Sequence, residues 1–457
     1  MDSCNINRVI ALAPGLNGDF INESPIHDIH NKSVGVMVYA PDLYIRKTVD
    51  AMRRKPKLNF KEIEERLRKA ADIFEQEVVC GLSPTQFVDY ITKVGGLPIQ
   101  VVSESFSNIA KSTRNATKLS KLGIPVGAPL YADRKRAIKG VGKSKRKGEI
   151  LCVIAPGNGP GVHGLWPQAV ALGYRVIIKP SEREPFTAQR LVASLRLAGL
   201  YDYVAFIPCA HKSVETLVEA SDLSLIYGSE ATVERYKMSP DVLVQGPGRS
   251  KIVVGADQLT SHAIPLAFES VTDLGGRACV CTTSILVEGD HHDFARKFAN
   301  YADAKFKDPL FRKNVLTRFP VKSVEWLEKV VREDADTLVA TPRLEYMNGQ
   351  YVNWSPIINC VDTPYHPLVQ RELPTASVTI APFNRNTDLP ALGDTLVLTA
   401  LTNDEDLLSY LDSVPNIHNL YAGSVPTTWM NPEVPHDGFL AEFLMTTTGY
   451  RKLPVET

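Results

Sequence analysis

From Asn59 onward, apolar side chains recur every third or fourth position: Phe60, Ile63, Leu67, Ala71, Phe74 and Val78. That spacing puts them on one face of an amphipathic helix, with Asn59 placed to cap it. A more polar run over 98–122 predicts a further helix on the outside of the same domain. Ahead of both, residues 1–58 mix short apolar runs such as 34–39 with turn-formers and predict no definite element.

After Gly148 the pattern becomes short apolar runs separated by helical segments. Runs 150–155, 174–178, 204–207, 223–227 and 242–245 read as strands, and 162–172, 185–197, 213–220 and 231–236 as the helices between them. Continuous apolar strands alternating with helices describe a doubly wound parallel sheet, with a ligand crevice at the carboxyl ends of its strands. The second half repeats the alternation more loosely, with apolar 283–287, a helix over 294–306, then apolar 338–340 and 377–380. A proline-rich stretch, 424–435, precedes a tail containing Phe439, Phe443 and Leu444. The predicted fold class is α/β with two doubly wound domains, one of them Rossmann-like.

Composition narrows the function classes. With 457 residues, 44% hydrophobic and 22% charged, the chain is not disordered and has room for two to four domains of roughly 100–200 residues. The 51 basic and 51 acidic residues cancel, which removes any global attraction to nucleic acid or an anionic membrane. The one dense basic segment, 131–149, lacks interleaved aromatics and reads as an exposed hairpin or loop rather than a nucleic-acid arm. Its charge remains available to the phosphates of a coenzyme or carrier. No apolar stretch approaches the ~20 residues of a membrane span, and the first residues carry no basic segment followed by an apolar run. Seven scattered cysteines, an odd number, lead us to expect free thiols in a reducing compartment and hence a cytoplasmic protein.

Gly159-Pro160-Gly161-Val162-His163-Gly164 fits G-x-G-x-x-G after a strand, where a dinucleotide-binding loop belongs, although any tight strand-to-helix turn yields the same pattern. Cys279-Val280-Cys281 lacks a second ligand pair at usable spacing, and His291-His292 read as solvated residues of a polar turn, so no metal site is expected. No Ser-His-Asp or paired-carboxylate constellation supports a hydrolase.

Five segments follow in order: Pro156-Gly157-Asn158-Gly159-Pro160, Lys179-Pro180-Ser181-Glu182, Tyr227-Gly228-Ser229, Gly246-Pro247-Gly248-Arg249-Ser250 and Gly276-Arg277-Ala278-Cys279. In order and spacing this series resembles the aldehyde dehydrogenase superfamily, and Glu372-Leu373-Pro374 sits where that family carries a glutamate segment. The resemblance runs from about residue 59 to about 385. Gly-Pro-Gly-Arg-Ser, Gly-Gly-Arg-Ala-Cys and the closing 435–440 segment look like the acyl-thioester reductase branch, related to the fatty-acyl reductase of bacterial luminescence.

The resemblance implies a nicotinamide cofactor, NADPH or NADH, and a thiol nucleophile at Cys279, with Asn158 donating to the oxyanion. A cysteine thiolate suits that chemistry because it both attacks a thioester and leaves from the adduct. Cys281 would share its face if 279–281 began a strand. Lys179, Ser181 and Glu182 would meet the adenine ribose, Gly228 and Ser229 the pyrophosphate, and Glu372 the nicotinamide ribose. Glu182 disfavours a 2′-phosphate while Arg183 favours one, which leaves NADH and NADPH both open. The glutamate that activates water in hydrolytic members is Gln245 here, and the last glycine of the family's G-S-T-x-x-G is Val233.

The expected organisation is a nucleotide domain from 1–130 and 150–245, a catalytic domain over 246–421, and an oligomerisation element from 131–149 with 422–457, implying a homo-oligomer. The expected reaction is reduction of an acyl-CoA or acyl-carrier-protein thioester to an aldehyde. Three alternatives stay open: the same site run oxidatively as a CoA-acylating aldehyde dehydrogenase, a cysteine acyltransferase without nicotinamide, and a silent scaffold.

Overall fold

The computed structural model describes residues 4–16, 20–131, 134–258, 260–347, 351–436 and 438–453. Asp437 of the closing segment and two residues of the basic segment, Ala132 and Asp133, lie outside them. The first 58 residues contain a small sheet of β1 (Arg8–Val9), β2 (Glu23–His27) and β3 (Ser33–Val38), then a helix, Asp42–Arg53. The periodic helix spans Phe60–Gln76 and begins in a reciprocal cap, the Asn59 side chain accepting from Glu62 N–H while Glu62 accepts from Asn59 N–H.

Strand β4 (Val141–Arg146) precedes the first large sheet, which consists of β5 (Ile150–Ile154), β6 (Arg175–Lys179), β7 (Val204–Phe206), β8 (Leu223–Tyr227) and β9 (Val242–Gln245) in the order β7-β6-β5-β8-β9. Every pairing in it is parallel. The chain winds outward from β5 to β7, then returns to the other side of β5 for β8. Beyond the strand ends, that reversal opens a crevice between β5 and β8.

Next come β10 (Ser250–Val254), β11 (Thr282–Val287) and an antiparallel group of β12 (Arg318–Pro320), β13 (Leu344–Met347) and β14 (Tyr351–Trp354). Strands β15 (Ile357–Cys360), β16 (Ser377–Pro382), β17 (Thr395–Leu401) and β18 (Ile417–Ala422) complete a six-stranded parallel sheet, ordered β15-β16-β11-β10-β17-β18. Finally β19 (Met445–Tyr450) pairs antiparallel with β4. Strands β5, β6, β8, β10, β11 and β17 are buried nearly throughout, as strands covered on both faces require. Among the described residues no helix is long and apolar enough to cross a membrane.

Several expectations change. The helix expected over 162–172 is a 3₁₀ turn, Pro160–Gly164, followed by a short helix, Pro167–Ala171, which Pro167 starts. The strand expected at 338–340 is a single bridge between Leu338 and Asn359. The basic segment is no hairpin: a helix, Arg134–Lys139, leads into β4, whose partner is the tail strand. Nor are all the thiols free, for Cys4 and Cys80 are joined in a disulfide. Five of the seven cysteines being internal or half-exposed thiols, the odd count concealed one pair.

Candidate functional site

At the carboxyl end of β6, Lys179 is 7% exposed; its carbonyl accepts from Ala155 N–H at 2.9 Å, and among the described residues its side chain makes no hydrogen bond or ion pair. An ammonium at the mouth of a crevice, on a side chain otherwise nearly covered, is placed to donate to ligand oxygens. That is the observation by which the crevice fits the ribose of a nucleotide. Ser181 is bound into the turn, its hydroxyl accepting from Arg183 N–H at 3.2 Å, and Glu182 is exposed beside it.

The end of β8 is less open. Gly228 leads to Ser229, which precedes the seven-residue helix Glu230–Tyr236 without making a side-chain cap bond. Glu230 in the first turn receives a 2.6 Å hydrogen bond from Arg249, so a carboxylate already stands at the positive end of that helix. Val233 packs over the next segment: a Cβ on Gly246 would lie 2.5 Å from its Cγ2.

Strand β9 ends at Gln245 and β10 begins at Ser250, so residues 246–249 link the carboxyl edge of the first sheet to the amino edge of the second. So short a link, at most ~3.5 Å per residue, holds the crevice and the start of β11 close together. Gly248 is where the two cross. A Cβ there would be 2.0 Å from the Cys279 carbonyl oxygen and 2.9 Å from its Cβ. Ser250 Oγ donates to that carbonyl at 2.8 Å, and Glu372 accepts from the N–H groups of Gly248 at 2.7 Å and Arg249 at 3.1 Å. Burial raises the Glu372 carboxyl above its usual range. Lys251, fully buried, donates to Arg249 O at 2.8 Å and Thr395 Oγ1 at 3.0 Å, fixing Arg249 in its left-handed conformation (φ 47°). Burial, with the Arg249 charge nearby, pulls the Lys251 ammonium down to about 7.

The two neighbouring cysteines differ sharply. Residues 279–281 form a turn rather than the start of a strand, closed by Cys281 N–H on Ala278 O, so strand alternation does not align them. Cys279 is half-buried, whereas Cys281 is buried, donates its thiol to Asp273 O at 3.3 Å and is pushed well up by that burial. Asn158, from the loop after β5, donates one amide N–H to Arg277 O at 3.3 Å and retains a second. Arg277 donates to Gly95 O at 2.8 Å, and burial lowers its guanidinium to about 10.

Glu372 and Cys279 therefore meet at the 246–249 link and Asn158 is bound to the thiol loop at Arg277, while Lys179, Ser181 and Glu182 lie at the end of β6 and Gly228 and Ser229 at the end of β8. The sequence reading assigned no role to Glu230, Arg249, Lys251 or Arg277. Lys251 did carry a signal, a lone cation heading an apolar strand, and Arg249 and Arg277 lie inside the glycine-containing segments 246–250 and 276–279.

The aldehyde dehydrogenase family model matches residues 42–389. A malonate-semialdehyde dehydrogenase of Shouchella clausii is 29% identical over 211 residues, 42% of each chain. This chain spans about two-fifths of the length of the curated relatives it matches. The solved NAD-dependent aldehyde dehydrogenase of Sinorhizobium meliloti has a TM-score of 0.79 at 18% identity, covering 100% of this chain and 98% of its own. An indole-3-acetaldehyde dehydrogenase complexed with NAD⁺ has a TM-score of 0.80 at 16% identity, covering 97% of each. At such identities the structures speak to fold, and with the family model they carry one conclusion: the chain belongs to the aldehyde dehydrogenase family.

Proposed function

We propose that this protein is an NAD(P)H-dependent acyl-thioester reductase, taking an acyl-CoA or acyl-carrier-protein thioester to an aldehyde through an acyl-enzyme on Cys279. One observation carries the reading: a half-buried thiol at the crossing of the two sheets has an amide donor, Asn158, beside its loop, while the family's water-activating position holds Gln245. A carboxamide has no basic oxygen at neutral pH, so the acyl-enzyme is protected from hydrolysis. Cys281, buried and bonded to Asp273 O, is excluded as a competing nucleophile by access.

Cys279 Sγ attacks the thioester carbonyl, a new C–S bond forms, and the carrier's C–S bond breaks as its thiolate leaves. The second amide N–H of Asn158 and a backbone N–H stabilise the oxyanion, a contribution of roughly 2.7–4 kcal/mol per donor. Lys179 and Glu182 hold the adenosine ribose of the dinucleotide; Ser181 shapes their turn. A reduced nicotinamide held there would supply the hydride, the two electrons that aldehyde formation requires. The hemithioacetal oxyanion on Cys279 then re-forms the C=O bond as its Sγ–C bond breaks, and the departing thiolate takes up a proton, returning the thiol.

Intact mass after incubation with a panel of acyl-CoAs, without nicotinamide, tests this. A single acyl adduct is expected on wild type and on Cys281→Ala and none on Cys279→Ala, with discharge as aldehyde when NADH or NADPH is added. An adduct that survives in Cys279→Ala, or that discharges as carboxylic acid, overturns the reading. Relatives named malonate-semialdehyde dehydrogenases support the oxidative direction, which at this site would take aldehyde plus thiol to thioester. Comparing initial rates in the two directions separates them.

A further inference from the structure

Away from Cys279, at the opposite end of β11, the fold assembles a second group of reactive side chains. His291 and His292 open the helix His291–Lys307 just beyond the carboxyl end of β11, and Cys360 is the last residue of the edge strand β15. The two imidazole rings lie 4.1 Å apart, and Cys360 Sγ is 3.6 Å from His292 Nδ1. One donor atom from each of the three residues falls within 4.8 Å of the others. We propose that His291, His292 and Cys360 bind a thiophilic divalent transition ion, zinc being the best match.

Three features point to an ion rather than to packing. Tetrahedral zinc, with Zn–N of about 2.0–2.1 Å and Zn–S of about 2.3 Å, sets its nitrogen and sulfur ligands about 3.5 Å apart, close to the 3.6 Å observed. His292 Nε2 lies 3.0 Å from Asp362 Oδ1. Donation there leaves the Nδ1 lone pair facing the sulfur, the carboxylate–histidine–metal arrangement. His291 Nε2 is buried with no hydrogen-bond partner among the described residues and stands 3.9 Å from the same carboxylate. The helix N-terminus itself opposes a dication, and the Cys360 thiolate, Asp362 and the capping Asp290 would offset that repulsion. Solvent completes the coordination, since His292 and Asp362 are exposed. The ion would tie the helix to the sheet edge and take no part in the chemistry at Cys279. The motif was hidden in the sequence because its sulfur comes 68 residues after its second imidazole.

Cobalt(II) titration of the full chain carrying Cys279→Ala tests this without interference from the active thiol. One equivalent is expected to bind with a thiolate-to-cobalt charge-transfer band in the near ultraviolet, and zinc should displace it. Cys360→Ala should abolish the band, and Asp362→Asn should weaken zinc binding by about 10–100-fold. The unfolding midpoint of the chain should rise with free zinc, and that rise should vanish in His292→Ala. Absence of a thiolate band in the Cys279→Ala chain overturns the proposal without recourse to further variants. So does a band that persists in a folded Cys360→Ala chain.

Discussion

Gly248 admits no side chain, because its missing Cβ is what lets the Cys279 carbonyl pass 2.0 Å from that position. Backbone must move to accommodate even a methyl group. Gly248→Ala should cost about 1–3 kcal/mol of stability and slow Cys279 alkylation, measured as a urea midpoint and a thiol-labelling rate; unchanged labelling would show that the crossing does not position the thiol. Lys251 imposes a pH dependence. Its ammonium falls from 10.5 to about 7 on folding, so between those values the unfolded chain binds more protons and stability rises with pH. The penalty is complete below pH 7 and gone above 10.5. Wild type should therefore gain on Lys251→Met, on the order of a few kcal/mol, as pH climbs from 7 toward 10; a flat difference would refute it. At this scale the sequence was most informative where a residue type is rare for its place, such as Gln245 for a glutamate. It was silent about Glu372 bonding to the 246–249 link, which depends on a loop more than a hundred residues away.

The pairing of β4 with β19 is the clearest case of an element whose meaning lies elsewhere in the chain. The tail helix Leu440–Leu444 buries Leu440, Ala441 and Leu444 in the same core as the first sheet, and Leu444 O accepts from Lys147 N–H at 3.0 Å and Tyr174 Oη at 2.5 Å. Deleting residues from Phe439 onward removes Leu440, Leu444 and Met445 from that core, at about 1.5–3 kcal/mol each, and uncovers β4. A lower urea midpoint and increased light scattering are expected; a chain that melts as wild type would mean the tail is dispensable. Helices with strong local signals, such as Phe60–Gln76 with its reciprocal cap, were legible beforehand. The antiparallel group β12–β14 was not, since its strands are short and held by partners rather than by propensity.

Across the whole molecule, the segment 95–97 ties the helical layer of the first half to the thiol loop and to β12. Gly95 O accepts from Arg277, Gly96 O from Arg318 N–H at 2.8 Å, and Leu97 O from the Arg318 guanidinium at 3.3 Å. The thiol loop is thus anchored from behind by the helical layer of the first half. A second long-range constraint, the Cys4–Cys80 disulfide, closes a loop 76 residues long. Cys4→Ser should cost about 2–4 kcal/mol in urea without reductant and nothing with it; equal midpoints in both conditions would show that the bond does not form in solution. Alternation of strand and helix made the parallel sheets legible, but no local pattern could announce this bond. Cysteine parity and spacing carry no information about which thiols the fold brings together.

The β4–β19 ribbon has a consequence for synthesis. Translation proceeds at about 5–20 residues per second, so β4 emerges tens of seconds before its partner is made. During that wait it is a bare strand edge, the kind of surface on which neighbouring nascent chains would pair. Lys143, Lys145 and Arg146 lie along it. Charges of one sign on a bare strand edge oppose its pairing with a copy of itself, so the basic run would disfavour such contacts until each chain's own tail arrives.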